Sequence, residues 1–408
     1  MRIEKISEKQ AQILDFALSD GLYLICDGAV RTGKTVFMSS AFLIWAMEHY
    51  DRTNFGICGK TVQSAERNVL KPLQENESLP YTLEYKVSTK LLTVRCGRKE
   101  NYFYIFGGKD ESSYMLIQGI TLAGVLFDEV ALMPRSFVEQ ALSRAISYDA
   151  PKYWFNCNPE GPNHYFYKEW IENPKEGTTH LHFMLEDNPI LSPKMIERTK
   201  AMYSGVFYDR YIRGLWVLAE GLIYPMFGKD KVVPTEERRY TRYVISMDYG
   251  IQNPTAMLLW GFCDGVWYQV KEYYHSGRET GRQKTDQEYY EDLERLAGDL
   301  PVEWLVIDPS ATSFIALVKQ KKRFKVRPAK NDVIDGIQKT AAAIQQGKIL
   351  VNDCCKETIK EYGLYSWDAK ADKDAPIKDN DHAMDATRYF VNTMAIMKPK
   401  NDYRPLWN

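Results

Sequence analysis

The stretch DGAVRTGKT, residues 27–35, contains the residue types that bind a nucleoside triphosphate. Gly28, four further residues and then Gly33-Lys34-Thr35 follow the pattern of a phosphate-binding loop. In such a loop the backbone N–H groups surround phosphate oxygens, the lysine reaches the β- and γ-phosphates, and the threonine hydroxyl coordinates Mg²⁺. The apolar run LYLIC before the loop and the helical pattern TVFMSSAFLIWAMEH after it predict a strand–loop–helix unit. A glycine-rich turn at a helix start is the alternative.

Two acidic residues follow a second candidate strand, GVLF. Asp128 and Glu129 are expected at the carboxyl end of that strand, the edge at which open α/β sheets bind ligands. A carboxylate at the position of Asp128 suits the Mg²⁺ coordination shell, and Glu129 is placed to polarise an attacking water as a general base. Taken alone, the pair is also compatible with an acidic helix N-cap.

Two amide side chains are weaker candidates for the same site. Asn158 follows the predicted strand KYWFNC, where an amide can contact the catalytic water and transmit the state of the γ-phosphate. The dipeptide Asn158-Pro159 is equally a plain turn initiator. Gln10, predicted to be exposed near the start of the helix in ISEKQAQIL, has the donors and acceptors that suit an adenine edge. A solvated helix glutamine is the alternative.

A second set of carboxylates lies in the C-terminal half of the chain. Asp248 is predicted at the centre of an apolar strand, Asp308 ends the run WLVI, and His382 and Asp385 share one helix face. A carboxylate inside an apolar strand is costly unless it is paired or bound to metal. Three converging carboxylates can hold two divalent ions that act on a phosphodiester, and oxygen ligands favour Mg²⁺ or Mn²⁺. Strand-edge caps and an ordinary surface helix are the alternative.

The chain that must position these residues has 408 residues and a net charge of −1. This length predicts two or three domains, and the near-neutral charge restricts any nucleic-acid binding to local patches. Seven cysteines without a CxxC pair favour reduced thiols. No segment approaches the ~18 continuous apolar residues of a membrane-spanning helix, and the N-terminus shows no signal-peptide apolar region.

The predicted elements divide the chain into three parts. Residues 1–186 are expected to form an α/β P-loop NTPase domain with a mostly parallel sheet and helices on both faces. Residues 187–235 are expected to form a short helical linker or lid, because apolar and aromatic residues recur there at helical spacing. Residues 236–408 are expected to form an α/β nuclease domain with a mixed sheet. Its order of an aspartate on the first strand, the fourth strand and a late helix is that of a ribonuclease H-like nuclease.

These motifs together resemble the large terminase subunit of tailed bacteriophages or prophages, over roughly residues 5–395. The segments that carry the resemblance are IQGITLAGVLFDEVALMPRSFVEQALSRA, WFNCNPEGPNHYFYKEW, GLWVLAEGLIYPMF and DHAMDATRYF. The resemblance implies a DNA-packaging motor that uses ATP to translocate double-stranded DNA into a procapsid. It also implies a metal-dependent endonuclease that cuts concatemeric DNA.

The resemblance further implies which cofactors are bound and by which residues. The cofactors are ATP with Mg²⁺ at the first site and two Mg²⁺ or Mn²⁺ ions at the second. The expected nucleotide-binding residues are Gln10, Gly28, Arg31, Thr32, Gly33, Lys34, Thr35, Asp128 and Asn158, of which Thr35 and Asp128 hold the metal. The expected nuclease residues are Asp248, Asp308, Asp385 and, on the second ion, His382. Glu129 is expected to activate water, and Asn158 to couple hydrolysis to movement.

One position departs from the pattern of the family. Many members carry an arginine just before the glycine that leads into the Asp128 strand, whereas this chain has Gln118. An arginine that stabilises the transition state of hydrolysis must then come from elsewhere. Arg31 in the phosphate-binding loop is a candidate in cis, and Arg144 on the predicted helix EQALSRA is a candidate in trans. For Arg144 a surface salt bridge is the alternative.

The implied partners are double-stranded DNA, the portal protein of the procapsid and a small terminase subunit, with no membrane. A monomer in solution and a homo-oligomeric ring on the portal, a pentamer, are expected in the cytoplasm of the host bacterium. Two other functions stay open. One is a helicase-like or recombination ATPase with a nuclease tail, although the arginine-bearing motif of a second P-loop-like domain is missing. The other is a nuclease-inactive prophage remnant that only grips DNA, although its three carboxylates are intact.

Overall fold

The computed structural model describes residues 5–250, 253–277, 281–369, 371, 374–394 and 396. The chain divides into two compact units. The first unit contains the described residues through Lys200 together with Tyr208–Leu218. The second contains Ala201–Phe207 and the described residues from Ala219 onward. Within the described ranges, no helix is both long and apolar enough to cross a membrane.

The first unit is built on one sheet with helices on both faces. Its strands are β1 (Tyr23–Gly28), β2 (Asn54–Gly59), β3 (Thr82–Lys86), β4 (Leu91–Cys96), β5 (Lys99–Gly107), β6 (Gly124–Asp128), β7 (Lys152–Asn156) and β8 (Thr178–Phe183). Its helices are α1 (Glu8–Leu18), α2 (Lys34–His49), α3 (Val62–Ala65), α4 (Lys71–Gln74), α5 (Arg135–Ser143) and α6 (Pro193–Lys200), and α7 (Gly205–Tyr211) crosses the division between the units. Single π turns occur at Glu66–Leu70 and Tyr167–Ile171, and 3₁₀ turns at Glu111–Ile117, Val130–Leu132 and Leu185–Asp187.

The described strands of this sheet have the order β3-β4-β5-β2-β6-β7-β1-β8. Strands β5, β2, β6, β7, β1 and β8, which follow one another in this order, run parallel. Strand β4 is antiparallel to both of its neighbours, β3 and β5. Strand β7 therefore lies between β1 and β6, with Asn156 paired to Cys26 on one side and to Asp128 on the other. The carboxyl ends of these three strands consequently meet at one edge of the sheet.

The central strands read as continuous apolar runs because both faces of the sheet are covered. One face packs on α1 and α2, where Phe42 and Trp45 contact Trp154 of β7. On the other face, Phe127 stacks on Phe155. Every residue of β6 and β7 is buried, so the ends of these strands are fixed by a packed core.

The second unit is built on a mixed sheet. Its strands are β9 (Val232–Val233), β10 (Arg242–Asp248), β11 (Thr255–Cys263), β12 (Val266–His275), β13 (Val302–Ile307), β14 (Val326–Pro328) and β15 (Ile349–Asn352). Its helices are α8 (Asp286–Ala297), α9 (Thr312–Lys321), α10 (Val333–Gln345), α11 (Lys356–Tyr362) and α12 (His382–Met394), with a 3₁₀ turn at Lys229–Lys231.

The strand order in the described part of this unit is β14-β13-β10-β11-β12-β15-β9. Strands β10, β11 and β12 form an antiparallel meander, and β13 then returns to lie parallel beside β10. This is the topology of a ribonuclease H-like fold. The predicted fold class, a P-loop α/β domain with a mostly parallel sheet followed by a ribonuclease H-like domain with a mixed sheet, is confirmed.

One local prediction about the second sheet is wrong. Asp248 was expected at the centre of its strand but is the last residue of β10. The strand ends there because the chain turns after Asp248: Gly250 N donates to Thr255 Oγ1 at 3.1 Å, and the Gly250 carbonyl oxygen accepts from the same hydroxyl at 2.9 Å. Asp248 therefore lies at the carboxyl edge of the sheet.

Candidate functional sites

The phosphate-binding loop connects β1 to α2. Gly28 has a φ of +114°, and a Cβ atom there would lie 2.1 Å from the carbonyl oxygen of Phe183. Gly33 has a φ of +82° and is the N-cap of α2. Both positions require glycine, since the backbone conformation and the close approach exclude a side chain. The loop thus turns sharply into the N-terminus of a helix, where backbone N–H groups favour an anion.

Lys34 lies inside this loop and is 5% exposed. Its ammonium group donates to the carbonyl oxygen of Ala29 at 2.6 Å and lies 3.4 Å from Oδ1 of Asn158. Burial lowers the pKa of Lys34 to about 8. The structure thus brings the predicted lysine and Asn158 together, with the lysine held by backbone oxygens that a phosphate oxygen can replace.

Asp128 lies beside the loop at the end of β6. Thr35 Oγ1 donates to Asp128 Oδ1 at 3.1 Å, and Asn156 Nδ2 donates to the same Oδ1 at 2.7 Å. Asn68 Nδ2 donates to the other oxygen, Oδ2, at 3.1 Å. Burial raises the pKa of Asp128 despite these hydrogen bonds. A hydroxyl and a buried carboxylate in contact, with only neutral donors on the carboxylate, are a donor set that fits Mg²⁺.

Glu129 follows Asp128 with a φ of +60°, a left-handed conformation that is unusual for a residue other than glycine. It caps the 3₁₀ turn that begins at Val130. Burial and the adjacent Asp128 charge raise the pKa of Glu129. A carboxylate with a raised pKa beside Asp128, the predicted metal ligand, has the properties expected of a general base.

The predicted exposure of Gln10 is wrong, and so is the alternative of a solvated helix glutamine. Gln10 is 1% exposed, its amide oxygen accepts from Ser7 N at 3.0 Å, and its Nε2 donates to the Thr32 carbonyl oxygen at 2.9 Å. The reason is that the first turn of α1 packs on the phosphate-binding loop. Contact with an adenine edge stays a prediction, and it requires this amide to exchange a partner.

The two candidate arginines occupy different surroundings. Arg31 is exposed within the loop, has a φ of +58°, and accepts a hydrogen bond at its carbonyl oxygen from Asn188 at 2.7 Å. Arg144 follows the last residue of α5, and its guanidinium contacts the side-chain amide of Gln140 at 2.8 Å. Neither arginine forms an ion pair with a carboxylate in the part of the chain that the structure describes. No described carboxylate therefore neutralises the positive charge of either arginine.

The second site is formed at the carboxyl edge of the mixed sheet. Asp248 ends β10 and Asp308 directly follows β13, the parallel neighbour of β10. Helix α12, which carries His382 and Asp385, packs across β10, β11 and β13. The fold therefore places the four predicted nuclease residues at one edge of the sheet.

Each of the two strand carboxylates is held by a neighbouring side chain. Asp248 Oδ2 lies 2.9 Å from His382 Nδ1. Burial raises the pKa of Asp248 despite this contact, and the nearby charge of Asp385 raises it further. Asp308 accepts hydrogen bonds from Ser310 N at 2.8 Å and from Asn331 Nδ2 at 3.1 Å. Burial would raise the pKa of Asp308, but these hydrogen bonds outweigh it and lower the pKa.

The helix carboxylate has cationic neighbours. Asp385 Oδ1 lies 2.9 Å from the buried guanidinium of Arg388, and Oδ2 lies 3.6 Å from the ammonium of Lys378. Lys378 also lies 3.3 Å from Asp381. The Tyr389 side chain lies among Asp248, Asp308 and Asp385, and burial together with their negative charges raises its pKa.

The carboxylates fit divalent metals by chemistry, although not as a preformed cage. Within the described ranges, no three His, Cys, Asp or Glu side chains already surround one point as metal ligands do. Asp248, Asp308 and Asp385 instead each have a protein partner that an ion would replace. Because their oxygens are hard ligands at one edge of the sheet, they suit Mg²⁺ or Mn²⁺.

Comparisons with known proteins place the chain in one family. The family description "Terminase large subunit, T4likevirus-type, N-terminal" matches residues 25–228. A solved large terminase from a thermophilic bacteriophage is 51% identical, and the alignment covers 96% of this chain and all of that chain, with a TM-score of 0.90. This chain belongs to the large terminase family. The predicted family is therefore confirmed.

Other relatives extend the comparison. The curated large terminase subunit of Escherichia phage T5 is 24% identical over 291 residues, which span 66% of this chain and 65% of that protein. The thermophilic-phage terminase has also been solved in complex with ADP and with ATP-γ-S, each at 50% identity and a TM-score of 0.87. Large terminases are the ATPases and nucleases of phage DNA packaging, so the predicted enzyme class is confirmed at the level of the family.

A buried cluster of polar side chains around Asp27, beside the phosphate-binding loop, was not identified from the sequence. Asp27, the last residue before Gly28, is 1% exposed, and its Oδ1 lies 2.9 Å from both His180 and His182. Trp216 Nε1 donates to its Oδ2 at 2.8 Å. Burial would raise the pKa of Asp27, but these partners lower it. The two histidines alternate along β8 and face one side, a pattern visible in THLHF, whereas Trp216 has no sequence signal for this contact.

The first turn of α12 is held by another buried acid, Glu361 of α11. Glu361, 1% exposed, accepts hydrogen bonds from Ala383 N at 2.7 Å and Met384 N at 3.2 Å. Tyr274 Oη donates to its other oxygen at 2.7 Å. Burial raises the pKa of Glu361 to about 7. Glu361 thereby fixes the first turn of α12, which carries His382 and Asp385.

Replacing this acid should make the stability of the second unit less dependent on pH. Because the pKa of Glu361 is raised to about 7, its contribution to stability is complete below pH 4 and is lost as pH rises through about 7. The full loss is at most about 3 kcal/mol. We expect Glu361→Gln to remove most of this loss when denaturant unfolding is compared near pH 5 and pH 8. Glu357→Gln, at a half-buried position on the same helix, is the control, and equal pH profiles for parent and Glu361→Gln would refute the assignment.

Proposed function

We propose that this terminase hydrolyses ATP at the loop Gly28–Thr35 to move double-stranded DNA, and cuts DNA at the carboxylates Asp248, Asp308 and Asp385. The observation that carries the first activity is the contact of Thr35 with Asp128 beside the buried Lys34. The structures of the thermophilic-phage terminase with ADP and ATP-γ-S support nucleotide binding at this loop.

In ATP hydrolysis, each residue of the first site has a separate role. Lys34 exchanges the Ala29 carbonyl oxygen for the β- and γ-phosphates of ATP. Thr35 and Asp128 hold Mg²⁺, which when bound neutralises charge on the phosphates. Glu129 accepts the proton of the attacking water. Asn158, 3.4 Å from the Lys34 ammonium, changes partner when Lys34 turns to the phosphate, which provides a first step of coupling.

The missing family arginine is replaced by Arg31 or by Arg144. Arg31 lies in the loop itself and can reach the nucleotide of its own subunit. Arg144 is presented at the end of α5 and suits the nucleotide of a neighbouring subunit. An arginine that stabilises the transition state contributes on the order of 10³–10⁵ in rate, so its loss is easily measured.

In DNA cutting, Asp248, Asp308 and Asp385 hold two Mg²⁺ or Mn²⁺ ions, which when bound stabilise the attacking and leaving oxygens of the phosphodiester. The surrounding residues keep these carboxylates in place. His382 lies against Asp248 and is positioned to join the second ion, while Arg388 orients Asp385 on the same helix. Asn331 and the backbone after Asp308 orient the third carboxylate.

The assembly in which both activities operate is part of the same proposal. We infer a ring of subunits, a pentamer, that forms on the portal of the procapsid from a monomeric chain. A small terminase subunit brings the DNA, and the site of action is the cytoplasm of the infected bacterium. Membership in the large terminase family supports these partners.

The full-length chain offers a direct experiment for both activities. We expect ATP hydrolysis that double-stranded DNA stimulates, and cleavage of supercoiled plasmid that requires Mg²⁺ or Mn²⁺ and stops with a chelator. Cleavage that continues after chelation would contradict the metal-nuclease assignment. ATP hydrolysis that does not require Mg²⁺ would contradict the assignment of the first site.

Glu129→Gln should separate nucleotide binding from hydrolysis. The amide keeps the size of the side chain but cannot accept the proton of the attacking water, so we expect a loss of about 10²–10⁴-fold in kcat. Affinity for a fluorescent ATP analogue should change little, because Lys34 and the loop are intact. The exposed Glu139→Gln on α5 is the control. Turnover at the parental rate in Glu129→Gln would remove Glu129 as the general base.

A further inference from the structure

The π turn Glu66–Leu70 lies directly against the ATPase carboxylates. We propose that Asn68 on this turn is a positioning residue of the ATPase site, which holds Asp128 in the orientation that receives Mg²⁺ and is itself oriented by Arg67. This inference rests on the proposed ATPase function. The contact comes from an element outside both the phosphate-binding loop and strand β6, at whose end Asp128 and Glu129 lie.

The hydrogen bonds of Asn68 leave one orientation of its amide. Asn68 Nδ2 donates to Asp128 Oδ2 at 3.1 Å, and Asn68 Oδ1 accepts from Arg67 Nε at 3.1 Å. In the reverse orientation, an amide N–H would face the guanidinium and the amide oxygen would face the carboxylate. Arg67 therefore fixes the amide, and the amide fixes the carboxylate.

Asn68 completes the set of contacts around Asp128. The other oxygen of Asp128 is occupied by Thr35 and Asn156, both within 3.1 Å. Without Asn68, Oδ2 of a carboxylate that is 1% exposed would lose this hydrogen bond, and the carboxylate would be held only through Oδ1. Groups that orient a metal ligand in this way typically change metal affinity or activity by about 10–100-fold.

The turn itself is fixed independently of the nucleotide site. Val69 and Leu70 are buried in the core of the first unit. Glu66 accepts from Tyr85 Oη at 2.5 Å and pairs with Lys90 at 3.4 Å. Isolated π turns occur frequently at functional sites, where they place a side chain that a regular helix would not. Asn68 is thus presented to Asp128 by a rigid element.

The test is the Mg²⁺ dependence of ATP hydrolysis by the full-length chain carrying Asn68→Leu, a substitution of similar size that cannot donate. We expect the Mg²⁺ concentration at half-maximal kcat to rise by about 10-fold or more, with the affinity for the nucleotide without Mg²⁺ changed less than about twofold. Arg67→Gln should shift the Mg²⁺ requirement in the same direction by a smaller factor.

The control is Asn76→Leu, which removes another buried amide of the same unit, one that donates to Ser40 and not to the ATPase site. It should lower the thermal midpoint without a shift in Mg²⁺ requirement. If Asn68→Leu hydrolyses ATP with the parental Mg²⁺ requirement, or loses activity only as far as Asn76→Leu does, the inference is overturned and the ATPase proposal stands. If Lys34→Ala keeps parental turnover, the ATPase proposal falls and the inference with it.

Discussion

Lys34→Ala should abolish ATP hydrolysis and leave plasmid cleavage unchanged. The ammonium of Lys34 is buried inside the phosphate-binding loop, where a charge acts strongly on the β- and γ-phosphates. Removing one preorganised donor to a developing charge costs about 10²–10³-fold in rate, and a buried cation lies at the upper end of this range. The measurement is steady-state release of phosphate with saturating ATP, Mg²⁺ and double-stranded DNA.

The control for this substitution is Lys71→Ala, which removes a lysine that is exposed on α4 and pairs with Glu75. It should hydrolyse ATP at the parental rate, because an exposed pair contributes little. Circular dichroism and thermal unfolding are measured alongside, to check that Lys34→Ala is folded. Parental turnover in folded Lys34→Ala would remove the loop as the nucleotide site.

Alanine at any one of Asp248, Asp308 and Asp385 should abolish plasmid cleavage and leave ATP hydrolysis intact. The three carboxylates lie at one sheet edge on two adjacent strands and the helix that crosses them. Since loss of a residue that only orients a metal ligand costs about 10–100-fold, loss of a ligand itself should exceed about 100-fold. His382→Ala should do less harm and shift the preference from Mn²⁺ towards Mg²⁺, because imidazole suits Mn²⁺ better.

Cleavage by these variants is compared with that by Asp299→Ala, an exposed aspartate of the same unit. A salt series adds a second readout, because contacts to DNA phosphates weaken steeply as salt rises. If Asp308→Ala cuts plasmid at the parental rate, the three carboxylates do not form one site.

The local motifs allowed much of both sites to be predicted from the sequence. The loop Gly28–Thr35 is contiguous, and its glycines are required by the backbone itself. Asp128 and Asp308 were predictable because each ends an apolar run, and parallel strands bring such ends to one edge. Asn156 is the last residue of β7 and could have been predicted on the same grounds. The sequence analysis identified only Asn158, two residues further along FNCNP.

Contacts between distant segments were not predictable in this way. Gln10 has the sequence context of an exposed helix residue, and only the docking of α1 on Thr32 buries it. Asn68 has no motif, because its role depends on a π turn and on a carboxylate 60 positions later. Asp27 is next to the loop in sequence, yet its partner Trp216 lies 189 positions away. Such contacts are specified by packing and not by residue spacing.

We propose that one chain carries two chemically separate sites, an ATPase in the first unit and a metal-dependent nuclease in the second. The most direct measurement assays ATP hydrolysis and plasmid cleavage side by side for the full-length parent, Lys34→Ala and Asp248→Ala. We expect Lys34→Ala to cleave plasmid without hydrolysing ATP, and Asp248→Ala to hydrolyse ATP without cleaving plasmid. Loss of both activities in a folded single variant, or retention of both, would contradict it.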